Sequence, residues 1–268
     1  MKIMKILNLY CGIGGNRKLW TPNGDEHEIT AVENVQDIAD VYQKLFPKDK
    51  VIVGDAHEYL IKHHQEFDFI WSSPPCPTHS VTNHFLKGQG IFRYPDMKLW
   101  QEIIFLKHFF KGKYVIENVK SYYKPIYEPQ VVGRHYFWAN FEIPDKKIDY
   151  VQIGTMNRQA SKSAQRKAII REAQIPELID LHGLNNLDIK LKNKRQVLRN
   201  CVYPELGLHI LSSLQLTDKK RAMCKTYTQA KGAYSSFSKG ERCKRNAVAN
   251  GHCKQHSSID KLLPDKYI

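Results

Sequence analysis

Cys76 stands between Pro75 and Pro77, just past the apolar run Phe67 to Trp71, and that placement gives a thiol a fixed position. The run is too short for a helix and rich in aromatics, which suits a buried strand; Pro74 and Pro75 cannot donate to a ladder and so end it. Open parallel α/β sheets bind their ligands at such strand ends. A free cysteine usually behaves as a small hydrophobe, so its company decides whether it is a nucleophile. Glu117 and Asn118 follow the strand pattern Tyr114 to Ile116 and read either as an acid and amide poised for chemistry or as a cap. Gly12, Gly14 and Gly15 follow the strand candidate Lys5 to Tyr10, where glycines let the backbone approach a ligand closely. Glu33 closes the next strand, Glu28 to Val32, roughly 20 residues on, where an acid accepts ribose hydroxyls. Asp55 follows a third strand, Lys50 to Val53. Together these residues describe a crevice for a nucleotide-type cofactor. The crowded glycines depart from the G-x-G-x-x-G spacing of dinucleotide sites, and Tyr10 offers an aromatic face of the kind that attracts a sulfonium cation.

The elements that must hold these groups alternate between strand and helix. A short helix is expected over Asn16 to Trp20. Asp96 is placed to cap a helix from Met97 to Phe110, whose Leu99, Trp100, Ile103, Leu106, Phe109 and Phe110 recur at helical spacing and belong to the core. Between Cys76 and that helix, Thr78 to Pro95 is polar and aperiodic, the pattern of a functional loop. Val131 to Phe141 alternates as one strand carrying Arg134 and His135.

At 268 residues the chain has room for one sizeable domain with appendages or for two modest ones, and a net charge of +14 points to a polyanionic partner, most simply nucleic acid. The first residues enter a strand pattern directly, with no signal peptide and no membrane-spanning run, so a soluble cytoplasmic protein is expected. Six cysteines in such a compartment are free, catalytic or metal-bound rather than paired. Four regions are expected: a core over 1–142, a short polar and basic segment over 143–195, a return to the core over 196–218, and a basic tail over 219–268. The tail holds twelve Lys or Arg against three acids, which is +9 of the total charge. Its Cys224, Cys243, Cys253 and His256 follow C-x18-C-x9-C-x2-H, a donor set adequate for one tetrahedral zinc. The alternative is a basic tail with incidental cysteines; either way it suits a nucleic-acid handle.

From Ile6 to Leu216 the order of these features resembles the DNA cytosine-C5 methyltransferase family, in the manner of its compact phage and prophage members. Tyr10-Cys11-Gly12-Ile13-Gly14-Gly15 resembles the family's S-adenosylmethionine loop, Glu33 its ribose-binding acid and Asp55 its adenine-contacting Asp. Pro74-Pro75-Cys76 is similar to the Pro-Cys signature, Glu117-Asn118-Val119 to the Glu-Asn-Val motif, and Arg199-Asn200-Cys201-Val202 to the late Gly-Asn-Ser-Val element. The departures are Pro77 where a Gln is usual, Gly133-Arg134-His135 in place of an Arg-x-Arg element, Arg199 in place of Gly, and a recognition segment of only about fifty residues.

The resemblance implies a Rossmann-like α/β methyltransferase fold, double-stranded DNA as partner, S-adenosyl-L-methionine as methyl donor and a monomer. Tyr10, Gly12, Gly14, Gly15, Glu33, Asp55, Pro74, Asn200 and Val202 would bind the donor. Cys76 would add to C6 of a flipped-out cytosine, converting an electron-poor C5 into an enamine-like carbon. Glu117 would stabilise N3 as a protonated carboxyl with a pKa raised by burial, Asn118 would complete the motif, and Arg134 would help ionise the thiol. Methylation of RNA cytosine and a non-catalytic nucleic-acid-binding module with the same fold are the competing readings. A metal-dependent nuclease needs clustered acids, and here they are spread over separate strand ends.

Overall fold

The computed structural model describes residues 3–21, 27–148, 150, 159, 161–185 and 191–214. The chain divides into two units, Met1–Ser213 and Leu214–Ile268, and the first contains the elements below. The tail's candidate zinc ligands, Cys224, Cys243, Cys253 and His256, lie outside the described residues.

Five strands run parallel: β1 (Lys5–Leu9), β2 (Glu28–Glu33), β3 (Lys50–Val53), β4 (Phe69–Ser72) and β5 (Lys113–Val119). The short strand β6 (Gln130–Val132) and β7 (His135–Ala139) complete a seven-stranded sheet in the order β3-β2-β1-β4-β5-β7-β6, with β7 antiparallel to both of its neighbours. Chain order reverses between β1 and β4, so their carboxyl ends border the crevice where open sheets take ligands. Central strands covered on both faces need to be apolar throughout. Ile6, Leu7 and Leu9 of β1 and Phe69, Ile70 and Trp71 of β4 are fully buried.

Ala31 and Val32 are consecutive in β2 and therefore face opposite sides. Ala31 packs with Tyr42 of helix α1 (Gln36–Leu45), whereas Val32 joins Leu60 of α2 (Ala56–His63). On Val32's side, after the short helix α3 (Asn83–Gly88), α4 (Lys98–Phe109) lays Leu99, Trp100, Ile103 and Leu106 into the same core as Leu7, Leu9, Ile70 and Ile116. Three more helices follow along the chain, α5 (Lys162–Ile169), α6 (Ile175–Leu181) and α7 (Lys194–Asn200). Leu178 and Leu198 from the last two cluster with Ile13 and Val41, closing over the glycine-rich loop. No described helix is long and apolar enough to cross a membrane.

Three local expectations are corrected. Asn16 to Trp20 forms successive turns rather than a helix, with Arg17 N–H on the Gly14 carbonyl and Trp20 N–H on the Arg17 carbonyl, both at 3.1 Å. Asn16 is held there by reciprocal amide bonds with the buried Asn8, at 2.8 and 3.4 Å. The single strand expected over Val131 to Phe141 is a hairpin, because Gly133 turns the chain at φ +58° between β6 and β7. β5 also runs on through Glu117 and Asn118 to Val119, since β7 pairs along its free edge with Glu117 opposite Phe137 and Asn118 opposite Tyr136. Glu117 is therefore a strand-interior residue, not a strand end.

Candidate active site at the carboxyl edge of the sheet

The loop after β1 is fixed by backbone contacts that side chains would obstruct. Gly14 has φ +82°, and a Cβ there would run into the rings of Phe46 and Tyr42. At Gly15 a Cβ would collide with the Val202 carbonyl, so the late element 199–202 folds directly onto the loop. Cys201 joins that contact: burial pushes its thiol up to about 12, against backbone hydrogen bonds from Ile13 and Gly15. Asn200, the last residue of α7, is exposed.

Glu33 organises the other side of the loop. Its Oε2 accepts the Gly12 N–H at 3.0 Å, while Oε1 accepts those of Asn34 and Val35 at 3.0 and 3.1 Å. Each carboxylate oxygen has two lone pairs, so Oε2 retains acceptor capacity for a ribose hydroxyl. Around Gly12, at φ +55°, the position of a Cβ meets nothing within 4 Å, which is the open space a nucleoside needs beside that acid. The residues present therefore fit S-adenosylmethionine. Asp55 caps α2, with Oδ1 accepting from His57 and Glu58 N–H at 2.8 and 3.0 Å, and its Oδ2 lies 3.5 Å from Lys98 Nζ. The Glu58 N–H leads the interactions that hold the Asp55 carboxyl below its ordinary range.

Tyr10 is the one described non-glycine residue with positive φ, at 53°. That conformation costs on the order of 1 kcal/mol and persists only when surrounding contacts enforce it. The enforcing contact is Glu102, fully buried on α4, whose Oε1 accepts the Tyr10 hydroxyl at 2.6 Å. Glu102 Oε2 accepts from Ser72 Oγ at 2.6 Å, and His57 Nδ1 lies 3.1 Å from Oε1. The hydrogen bond to Glu102 is the main reason the His57 imidazole holds its proton more tightly than usual. Sequence reasoning passed over Glu102 because it lies within an apolar helical stripe. The available signal was an acid sharing a helix face with Leu99, Ile103 and Leu106.

Beyond β4, the Pro-Pro-Cys turn is tied to β5 by Asn118, whose Nδ2 donates to the Pro74 carbonyl at 3.0 Å. The Cys76 carbonyl accepts from His79 and Ser80 N–H at 3.0 and 3.1 Å, which fixes the turn from its other end. Cys76 is partly buried, and burial first, then the charge of Glu117, push its thiol above the ordinary range. Glu117 is 7% exposed. Burial raises its carboxyl to about 7, opposed by a hydrogen bond from Ser73.

Arg134 does not take the place expected of it. It is exposed on the β6–β7 turn with its guanidinium 4.5 Å above the Tyr150 ring, and it is not among the groups that shift Cys76. Its neighbour His135 shares the face of Glu117 and puts Nε2 3.8 Å from Glu117 Oε1. Burial, with the charges of Arg134 and Lys120, drives the imidazole down to about 4, so it is neutral. His135 Nδ1 is buried without a hydrogen-bond partner. Among the described residues no cluster of side chains could hold a metal ion.

Comparison with curated proteins returns no match. Among solved structures, the methyltransferase EhMeth of Entamoeba histolytica aligns over 80% of this chain and 97% of its own, at 12% identity and a TM-score of 0.43. The hypothetical protein TTHA0928 of Thermus thermophilus aligns over 52% and 75%, at 15% identity and 0.33. The plantazolicin methyltransferase BamL, solved with S-adenosylhomocysteine, aligns over 43% and 38%, at 14% identity and 0.30. In sequence, residues 4–128 match the family model described as C-5 cytosine-specific DNA methylase.

Proposed function

We propose that the chain methylates C5 of cytosine in DNA, with Cys76 adding covalently to C6 of a base turned out of its helix. The observation that carries the reading is a carboxyl raised to about 7 whose charge bears directly on a turn-held thiol. The two titrations are coupled with a definite sign. While Glu117 is ionised it opposes the thiolate; once it holds a proton that opposition ends. A proton lost by Cys76 and one gained by Glu117 thus favour each other, leaving the nucleophile charged and the acid ready to donate.

Cytosine N3 gains electron density as sulfur attacks C6, and a protonated Glu117 can donate to it while its other oxygen accepts from the exocyclic amine. S-adenosylmethionine, when bound, supplies an electrophilic methyl group. Gly12, Glu33 and Tyr10 bind and orient it. Asn118 holds the turn so that Cys76 approaches from one direction. Once C5 carries the methyl group, loss of its proton to a water molecule re-forms the C5–C6 double bond as the C6–S bond breaks, and Cys76 leaves as the thiolate.

Because the target atoms are hidden inside a duplex, the base must leave the stack. The loop Thr78 to Pro95 is suited to assist, since its ends are joined by Asp96 N–H on Thr78 Oγ1 at 3.1 Å. It displays exposed Phe85, Phe92 and Tyr94 beside Lys87 and Arg93, with no acid from Cys76 to Pro95. In this reading residues 143–195 form the target-recognition segment, and Cys224, Cys243, Cys253 and His256 bind one structural zinc, which metal analysis of the full chain tests. Incubation with methyl-labelled S-adenosylmethionine and either DNA or RNA tests the activity. Label in DNA recovered as 5-methylcytosine is expected; label confined to RNA, or to another base, contradicts it.

A further inference from the structure

Glu102 is the one fully buried acid among the described residues, and the chemistry above leaves it unused. It lies on α4, and three other elements meet at its carboxyl. Its Oε1 accepts the hydroxyl of Tyr10, from the loop after β1, at 2.6 Å, and lies 3.1 Å from Nδ1 of His57 in the first turn of α2. Its Oε2 accepts the hydroxyl of Ser72, the fully buried last residue of β4, at 2.6 Å. Two residues on, the Pro74 carbonyl takes the Asn118 amide at 3.0 Å, and Cys76 follows two residues after that. Lys98, one turn before Glu102 on α4, reaches Asp55, the cap of α2, at 3.5 Å.

A buried carboxyl is costly unless hydrogen bonds satisfy it, and an apolar side chain at 102 would extend the stripe of Leu99, Ile103 and Leu106 without that cost. The carboxyl does what no apolar side chain can, since it gives two hydroxyls on separate elements a common acceptor. One hydroxyl belongs to the strained residue of the glycine-rich loop, and the other to the point where β4 runs into Pro74-Pro75-Cys76. We infer that Glu102 is a positioning residue that joins the two halves of the site, so that the seat of the methyl donor and the Cys76 turn are set against each other by one side chain. The inference rests on the methylation reading for the identity of the donor and the role of the thiol.

The test crosses two readouts in the full chain. S-adenosylmethionine affinity is measured by calorimetry, and alkylation of Cys76 by iodoacetamide in the donor-free protein is followed by peptide mass spectrometry. Y10F removes the loop hydroxyl and S72A the strand hydroxyl. N140A is the control, because it deletes two hydrogen bonds, of 3.1 and 2.8 Å, at the amino end of β5, away from the carboxyl edge of the sheet. A shared anchor makes each arm felt on the other side. S72A should weaken S-adenosylmethionine binding about threefold to tenfold, and Y10F should speed Cys76 alkylation by a similar factor. The double variant should exceed the larger single effect by no more than about twofold, because residues acting through one group are not additive. N140A should keep both readouts at wild type. Effects confined to each substitution's own side, effects that multiply in the double variant, or equal changes in N140A overturn the inference. If the wild type methylates cytosine while the two arms act independently, the link falls and the activity stands. Crossed effects in a protein that methylates neither DNA nor RNA do the reverse.

Discussion

Glu33 and Glu102, on the cofactor side of the sheet edge, have both carboxylate oxygens engaged by hydrogen-bond partners between 2.6 and 3.1 Å. Glu117, on the proposed base side, is as buried as Glu33; it takes a hydrogen bond from Ser73, but His135 Nε2 stands 3.8 Å away and His135 Nδ1 is without a partner. Donors stabilise a carboxylate, and burial without enough of them favours the neutral acid. On the proposed reading, the cofactor side has its carboxyl groups already engaged, while the base side keeps a buried carboxyl and a ring nitrogen open to a substrate.

The largest effect that would break this contrast belongs to the nucleophile. Cys76→Ser should lower turnover by roughly 10⁴-fold or more while leaving S-adenosylmethionine binding near wild type, read by single-turnover transfer and calorimetry. A Ser variant that still turns over removes Cys76 from the reaction. Glu117→Gln keeps size and removes the titrating proton, and methyl transfer should slow by about 10² to 10⁴. An unchanged rate would return Glu117 to a purely structural role.

How much of this was legible in the sequence follows the same division. β1 to β3 could be read because each is a short run rich in apolar residues ended by glycines or an acid, whether central like β1 or at the edge like β3. Glu117 was recognised but misplaced, since its position inside β5 depends on pairing with β7, a long-range contact that alternation alone does not reveal. The β6–β7 turn was hidden inside a good alternating pattern, with Gly133 as its one mark. This moved Arg134 outward and brought His135 to Glu117. Glu102 stayed invisible because a helical stripe is read by its apolar members, and the partners that make a buried acid tolerable lie on three other elements.

Two smaller effects sharpen the comparison. Because Glu117 sits at about 7 in the folded chain against an ordinary 4.5, the folded state keeps a proton that the unfolded chain has released across that window. Folding stability contributed by this group therefore falls as pH rises from about 4.5 to about 7, by on the order of 3 kcal/mol. Glu117→Gln abolishes the titration, so urea unfolding at pH 5 and pH 8 should show the variant gaining on the wild type at the higher pH. A pH-independent difference would contradict the burial argument. On the proposed cofactor side, Tyr10→Phe deletes one donor to Glu102 and loosens the strained turn; S-adenosylmethionine affinity should drop about tenfold. Unchanged affinity would mean that the Tyr10 hydroxyl does not organise the loop.

The most direct measurement is a trapping experiment on the sulfur itself. The full chain is incubated with S-adenosylmethionine and a duplex carrying 5-fluorocytosine at its target, where loss of a proton from C5 is blocked, and the digested complex is read by mass spectrometry. The account predicts a stable adduct joining the fluorinated, methylated base to the peptide that contains Cys76. Methyl transfer to unmodified cytosine with no adduct at Cys76 under these conditions would contradict it.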